Sequence, residues 1–224
     1  MSRLYNHRLQ KGFTIVELMI ALTIVSVMLL IATTVFVHLG NDYTKGINLT
    51  RTQNAARNII DQVSQELQFS GGTLQTGSNG GSNAICIGNT RYSYVIGKQA
   101  VSGTTTSPHV LWQETMQPGD ACMPLNLANT PDPAAVPSGP GKNQLGTNGK
   151  ELVPDRMRLT GLCVSQLGSG YQVSVWLAYG DDDLLSGLGG TADSCGNKHQ
   201  TCLGITGDQF CAVSELQTTV AARL

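Results

Sequence analysis

From Phe13 to Leu39 the chain has almost no polar position beyond Thr and Ser, apart from Glu17 and, at the far end, His38. These 27 residues carry no amphipathic period and read as a helix that is apolar all round. At ~1.5 Å per residue such a helix is about 40 Å long. That exceeds the ~20 residues needed to cross a bilayer. From Ile47 a helical period takes over. Leu49, Ala56, Ile59, Ile60, Val63 and Leu67 form one stripe, while Arg51, Arg57, Asp61, Gln65 and Glu66 fall elsewhere. The stripe predicts a face packed on a globular domain. Between the two regimes stand Gly40 and Gly46, each costing about 1 kcal/mol against Ala in a helix interior. They predict a bend or a locally melted turn. Ser70-Gly71-Gly72 is a strong stop.

Beyond residue 70 the period shifts toward two, but weakly. Tyr171 to Tyr179 alternates over nine residues and predicts a strand. Met157 to Val164 is its expected hairpin partner through Gly168-Ser169-Gly170. Ala84 to Ile87, Arg91 to Ile96 and His109 to Gln113 are weaker strands, and residues 210–221 hold at least one more. Residues 114–150 carry most of the Pro and much Gly, and predict a long irregular loop. The expected fold is α+β: a long N-terminal helix packed on an antiparallel β-sheet head, with long loops and disulfides.

Charge gives the helix a direction. Arg3, Arg8 and Lys11 precede it with no acid among them, which predicts a cytoplasmic N-terminus. A cleaved signal peptide has a shorter apolar core of about 7–15 residues and a small-residue site after it. Here His38-Leu39-Gly40-Asn41 is a poor match. A plain anchor fits the length but leaves Glu17 unexplained, because a charge inside lipid costs roughly 2.5–3.5 kcal/mol on insertion scales.

Lys11-Gly12-Phe13-Thr14-Ile15-Val16-Glu17-Leu18 resembles the processing site of type IV prepilins. The resemblance implies cleavage between Gly12 and Phe13 by a prepilin peptidase, N-methylation of Phe13 and retention of the apolar helix. It implies that Glu17 pairs with the new α-ammonium of an adjacent subunit and fixes axial register. The divisions expected are a leader (1–12), a membrane and assembly half of the helix (13–39), an amphipathic half (40–70) and a disulfide-containing head (71–224). Gln53 to Gly71 and the closing Thr218 to Arg223 are similar to PilW-like minor pilins. Many major pilins carry a Pro in the membrane half, and this chain has none before Pro108. The partners implied are the prepilin peptidase, other minor pilins, the major pilin and the assembly platform. The implied location is the inner membrane, single-pass, before assembly, then an extracellular pilus serving adhesion or motility. A minor pseudopilin of type II secretion shares leader and stem. A membrane-anchored binding or enzymatic domain is the alternative from another class.

Six cysteines, Cys86, Cys122, Cys163, Cys195, Cys202 and Cys211, all lie beyond the apolar helix. An even count outside the cytoplasm reads as disulfides. The pairing expected is Cys86 with Cys122, Cys195 with Cys202, and Cys163 with Cys211. A zinc site from Cys195, His199, Cys202 and Cys211 is the rival, without a C-x-x-C pair to support it. Asp181, Asp182 and Asp183 are weak Ca²⁺ candidates on a turn and lack the calcium-loop pattern. Gly187 to Ala192 matches a dinucleotide fingerprint outside the strand–helix context that gives it meaning. No nucleophile elbow or metalloprotease motif occurs, so neither an enzyme nor a cofactor is expected. A net charge of -1 offers no general attraction to nucleic acid. Arg156 and Arg158 are read as solvated strand residues, and Trp112 and Trp176 as packing.

Overall fold

The structure, a computed structural model, describes residues 12–70, 74–79, 81–101, 109–117, 119–127, 148–187, 200–204 and 207–221. The chain divides into two units between Tyr43 and Thr44. One α-helix, α1 (Ile15–Phe69), contributes to both.

In the first unit every described residue is exposed, including Phe13 (88%), Leu30 (67%) and Phe36 (77%). The hydroxyls in this stretch turn back on their own helix. Thr23 Oγ1 donates to the Ile20 carbonyl (2.8 Å), Ser26 Oγ to Leu22 (2.7 Å) and Thr34 Oγ1 to Ile31 (2.8 Å). Such bonds satisfy donors that lipid cannot. α1 is the one helix among the described residues long and apolar enough to cross a membrane. The locally melted turn expected at Gly40 and Gly46 does not form, and both stay helical. Two isolated glycines are a small cost against the cooperativity of so long a helix.

In the second unit the described residues add ten strands to α1. β1 (Leu74–Asn79), β2 (Ser82–Ile87), β3 (Thr90–Tyr94), β4 (Leu111–Thr115) and β5 (Lys150–Glu151) form an antiparallel sheet in chain order. β6 (Met157–Leu167) and β7 (Gly170–Tyr179) form a hairpin, and β10 (Ala212–Ala221) pairs with the outer side of β7. β8 (Leu185–Ser186) and β9 (Thr201–Cys202) make a small third pair. Instead of one sheet laid on the helix, two sheets share one core with it. Ile59, Ile60, Val63 and Leu67 pack with Ile85, Tyr92 and Leu111 from the first sheet and Leu162, Val173 and Val175 from the second.

The buried stripe on α1 differs from expectation at its start. Leu49 is 39% exposed, while Asn48 and Thr52 are buried. The polar pair is tolerated because it is satisfied. Asn48 Nδ2 donates to the Gln209 carbonyl (3.0 Å) and Thr52 Oγ1 to the Asn48 carbonyl (2.8 Å). Burial, then the Glu66 carboxylate, raises the Tyr92 phenol well above its usual range, so it stays neutral in the core.

Part of the expected long loop is a strap. Residues 119–127 cover the face of the first sheet turned away from the main core. Cys122 is bonded to Cys86, Leu125 N donates to Ser93 Oγ (3.1 Å), and Leu125 and Leu127 pack on Trp112. Gly77 permits the close approach, since a Cβ there would lie 1.9 Å from the Cys122 carbonyl oxygen. Beneath the strap Arg91 and Glu114, directly opposite on β3 and β4, form an ion pair whose side chains are 4% and 2% exposed. Arg91 Nη1 also donates to the Met123 carbonyl (3.1 Å). Removing one member strands a buried charge, at a cost of about 3–5 kcal/mol, whereas replacing both by apolar groups can be neutral. Urea denaturation of Glu114→Ala is therefore expected to show a loss of that size. The Arg91→Met/Glu114→Leu double variant should recover most of it.

Candidate functional site

Gly12 and Phe13 lie ahead of the helix in irregular, exposed backbone. The peptide bond between them is thus free of helical hydrogen bonding. The helix starts immediately after it, and Thr14 and Glu17 cap that start reciprocally. Thr14 N and Thr14 Oγ1 each donate to Glu17 Oε2 (3.0 Å), and Glu17 N donates to Thr14 Oγ1 (3.2 Å). This is a capping box, in which two otherwise orphaned donors are satisfied by side chains three residues apart. The carboxylate also faces the positive end of the helix dipole.

The charge expected to need a neighbouring subunit therefore already has a partner in its own chain. The Thr14-x-x-Glu17 spacing is the signal for it. Every atom of the box lies on the C-terminal side of the Gly12–Phe13 bond, so hydrolysis of that bond would leave the cap in place. Glu17 Oε1 has no partner among the described residues. The carboxylate keeps one oxygen for a second donor.

The cysteines follow the expected pairing only in part. Cys86–Cys122 forms as expected, but Cys202 is bonded to Cys211. That bond replaces the expected pairings Cys195–Cys202 and Cys163–Cys211. Cys163 is disulfide-bonded too, while Cys195 lies outside the described residues, as does His199. The physical reason is local. β9 lies close to the start of β10, with Cys202 and Cys211 packed in one small cluster beside Leu184 and Leu185. With both sulfurs in a disulfide, the zinc arrangement loses two of its four ligands.

Asp181 and Asp182 face arginines. Asp181 pairs with Arg156 at 3.5 Å, and Asp182 with Arg158. Asp182 is thus tied to a buried guanidinium, Asp181 makes a long pair at the surface, and Asp183 is exposed. Among the described residues no cluster of three or more potential metal ligands occurs. Arg158 is not a solvated strand residue: its side chain is 1% exposed and also donates to the Gly180 carbonyl (2.9 Å). Arg156 lies just outside β6, exposed. Trp112 is buried against Leu125 and Leu127. Most of the fingerprint-like segment after Gly187, and the basic leader through Lys11, lie outside the described residues.

A family model described as the prokaryotic N-terminal methylation motif matches residues 7–33. No curated protein and no solved structure matches the chain. The match covers residues 7–12 ahead of the helix, the Gly12–Phe13 bond, the capping box and the apolar stretch as far as Thr33. It supports a type IV prepilin-like protein, of pilin or pseudopilin type, and agrees with membrane anchoring through the apolar helix before assembly.

The cap has a measurable consequence. Thr14→Ala should cost about 1 kcal/mol at the helix start. Amide hydrogen exchange of the full chain in detergent micelles should then accelerate roughly fivefold at residues 15–18. Unchanged exchange there would show that the box does not hold the first turn.

Proposed function

We propose that this chain is a minor pilin of a type IV pilus. In this reading a prepilin peptidase cleaves Gly12–Phe13 and methylates Phe13. The chain then enters the fibre, or a tip and priming complex with other minor pilins and the major pilin, through the assembly platform. The observation that carries the reading is the junction itself: an exposed, non-helical Gly12–Phe13 bond directly before a capped helix whose first half is almost entirely apolar. A peptidase needs extended backbone, and an assembling helix needs a defined end. The pairing of Cys202 with Cys211, and the strap tied by Cys86–Cys122, suit a domain that must persist outside the cell.

Glu17 acts here in two ways. One oxygen caps its own helix, and the other takes the α-ammonium of a neighbouring subunit's Phe13. In a poorly solvated setting that attraction is much stronger than in water. It favours docking at one register.

A deletion strain, scored separately for surface pili and for secreted exoproteins, tests the reading. Loss of pili with normal secretion is expected. Normal piliation with lost secretion would assign the chain to the pseudopilins of a type II system. Complementation with Glu17→Gln separates the two duties of the carboxylate. Glutamine still completes a capping box but carries no charge. If the charge recruits the neighbour, Glu17→Gln fails to restore pili, as Glu17→Ala does. Wild-type piliation with Glu17→Gln would reduce Glu17 to a helix cap.

A further inference from the structure

The second unit begins at Thr44, and contacts within it show which elements gather around that first turn of its helix. Lys45 pairs with Asp208, and Asn48 Nδ2 donates to the Gln209 carbonyl (3.0 Å). Asp208 and Gln209 lead into β10, whose first residue, Ala212, stands opposite Tyr179 at the end of β7. Met157, the first residue of β6, stands opposite Tyr179 on the other side. Ala100 N donates to the Met157 carbonyl (2.7 Å), and Cys202–Cys211 ties β9 to the same place.

This end of the domain carries a group of exposed apolar side chains. Leu49, Val101, Leu203 and Phe210 are all here, whereas Phe69 and Leu167 are exposed at the opposite end. A single exposed apolar residue is ordinary, but a group gathered at one end marks an interaction surface. Leu203 (47% exposed) and Phe210 (50%) are each one residue from a cysteine of the same disulfide. Phe210 N donates to the Gly207 carbonyl (2.8 Å) and Leu203 N to the Leu184 carbonyl (3.0 Å). Their backbone is therefore ordered before any partner arrives, which lowers the entropic cost of docking.

The chain itself points to the occupant. The four residues 40–43 alone separate the apolar stretch from this domain. Four helical residues rise about 6 Å. That is close to one headgroup layer, since a bilayer of about 40–45 Å has a hydrocarbon core of about 30 Å. The apolar stretch, about 40 Å as a helix, is longer than that core, and tilting shortens its reach across the bilayer. Charge does not select the occupant, because the cations here already face acids: Lys45 meets Asp208, Arg156 meets Asp181 and Arg158 meets Asp182. We propose that this end of the domain docks on the lipid surface before assembly, with Phe210 and Leu203 seated at the boundary between headgroups and acyl chains. The contact is apolar and suits zwitterionic lipid. It holds the subunit in one orientation until it leaves the bilayer. The proposal rests on the apolar half of α1 spanning that bilayer.

The test places the full chain in phosphatidylcholine nanodiscs, one chain per disc, with Trp introduced at a single exposed position. Phe210→Trp reports the docking, Met28→Trp reports the span, and Phe69→Trp, about 36 Å along α1 from Lys45, is the control. Emission above that of the wild type, which contains Trp112 and Trp176, is compared in ordinary and dibrominated lipid, whose bromines quench indole on contact. Met28→Trp and Phe210→Trp should lose most of their added emission, and Phe69→Trp should keep its own. Leu203→Trp should be quenched as well, and adding Phe210→Asp should abolish that quenching, because a carboxylate resists burial. Quenching at Met28→Trp with none at Phe210→Trp would overturn the docking and leave the span intact. No quenching at Met28→Trp would overturn the span and the docking with it. Quenching at Phe69→Trp equal to that at Phe210→Trp would overturn docking through this end.

Discussion

One constraint dominates this chain: a helix segment that water cannot solvate favourably. Between Phe13 and Leu39 large apolar side chains point in every direction, and none is covered by this chain. Each Å² of such surface left in water forgoes roughly 25 cal/mol. The segment needs lipid or other helices around it. Its internal chemistry fits that need: Thr and Ser hydroxyls are bonded to the preceding turn, and the single acid is tied into the helix cap. A helix built this way is comfortable in a membrane and equally suited to a bundle of its own kind. That dual fitness is what an assembly subunit stored in a bilayer requires.

The same helix changes solvent as it continues. Past Thr44 it presents a buried stripe to two sheets, and the domain gathers around it with few charged residues and much glycine. Such a domain has little apolar surplus to hold its periphery. The periphery is instead pinned at specific places. The strap is tied to the first sheet by Cys86–Cys122 and lies over the Arg91–Glu114 pair, and Cys202–Cys211 joins β9 to the start of β10. Lys45 and Asp208 add an ion pair between the helix and the turn before β10.

Where the pattern was dense, the sequence was readable. The nine-residue alternation ending at Tyr179 is β7, Met157 onward is its hairpin partner, and the helix ends at Phe69, one residue before the Ser-Gly-Gly stop. The Gly12–Phe13 junction stands out in the sequence and falls within the matched methylation motif, residues 7–33. Elsewhere tertiary contacts override the local signal. β1, Leu74–Asn79, has no alternation to announce it and exists because β2 offers a ladder. Arg158 reads as a surface charge and is buried because Asp182 and the Gly180 carbonyl meet it. Leu49 sits one position off the face that Asn48 and Thr52 occupy. Disulfide partners depend on which loops meet, which spacing alone does not encode. The Thr14–Glu17 box was visible as a spacing, yet the conspicuous charge of Glu17 directs attention to a distant partner before the near one.

The proposed assembly role rests on the chain being cut at one bond and keeping everything after it. Intact-mass and N-terminal peptide mass spectrometry of the protein recovered from its native membrane measures that directly. The account predicts a mature chain beginning at N-methylated Phe13, with residues 13–39 retained. A chain that keeps residues 1–12, or one cleaved after the apolar helix, would contradict it.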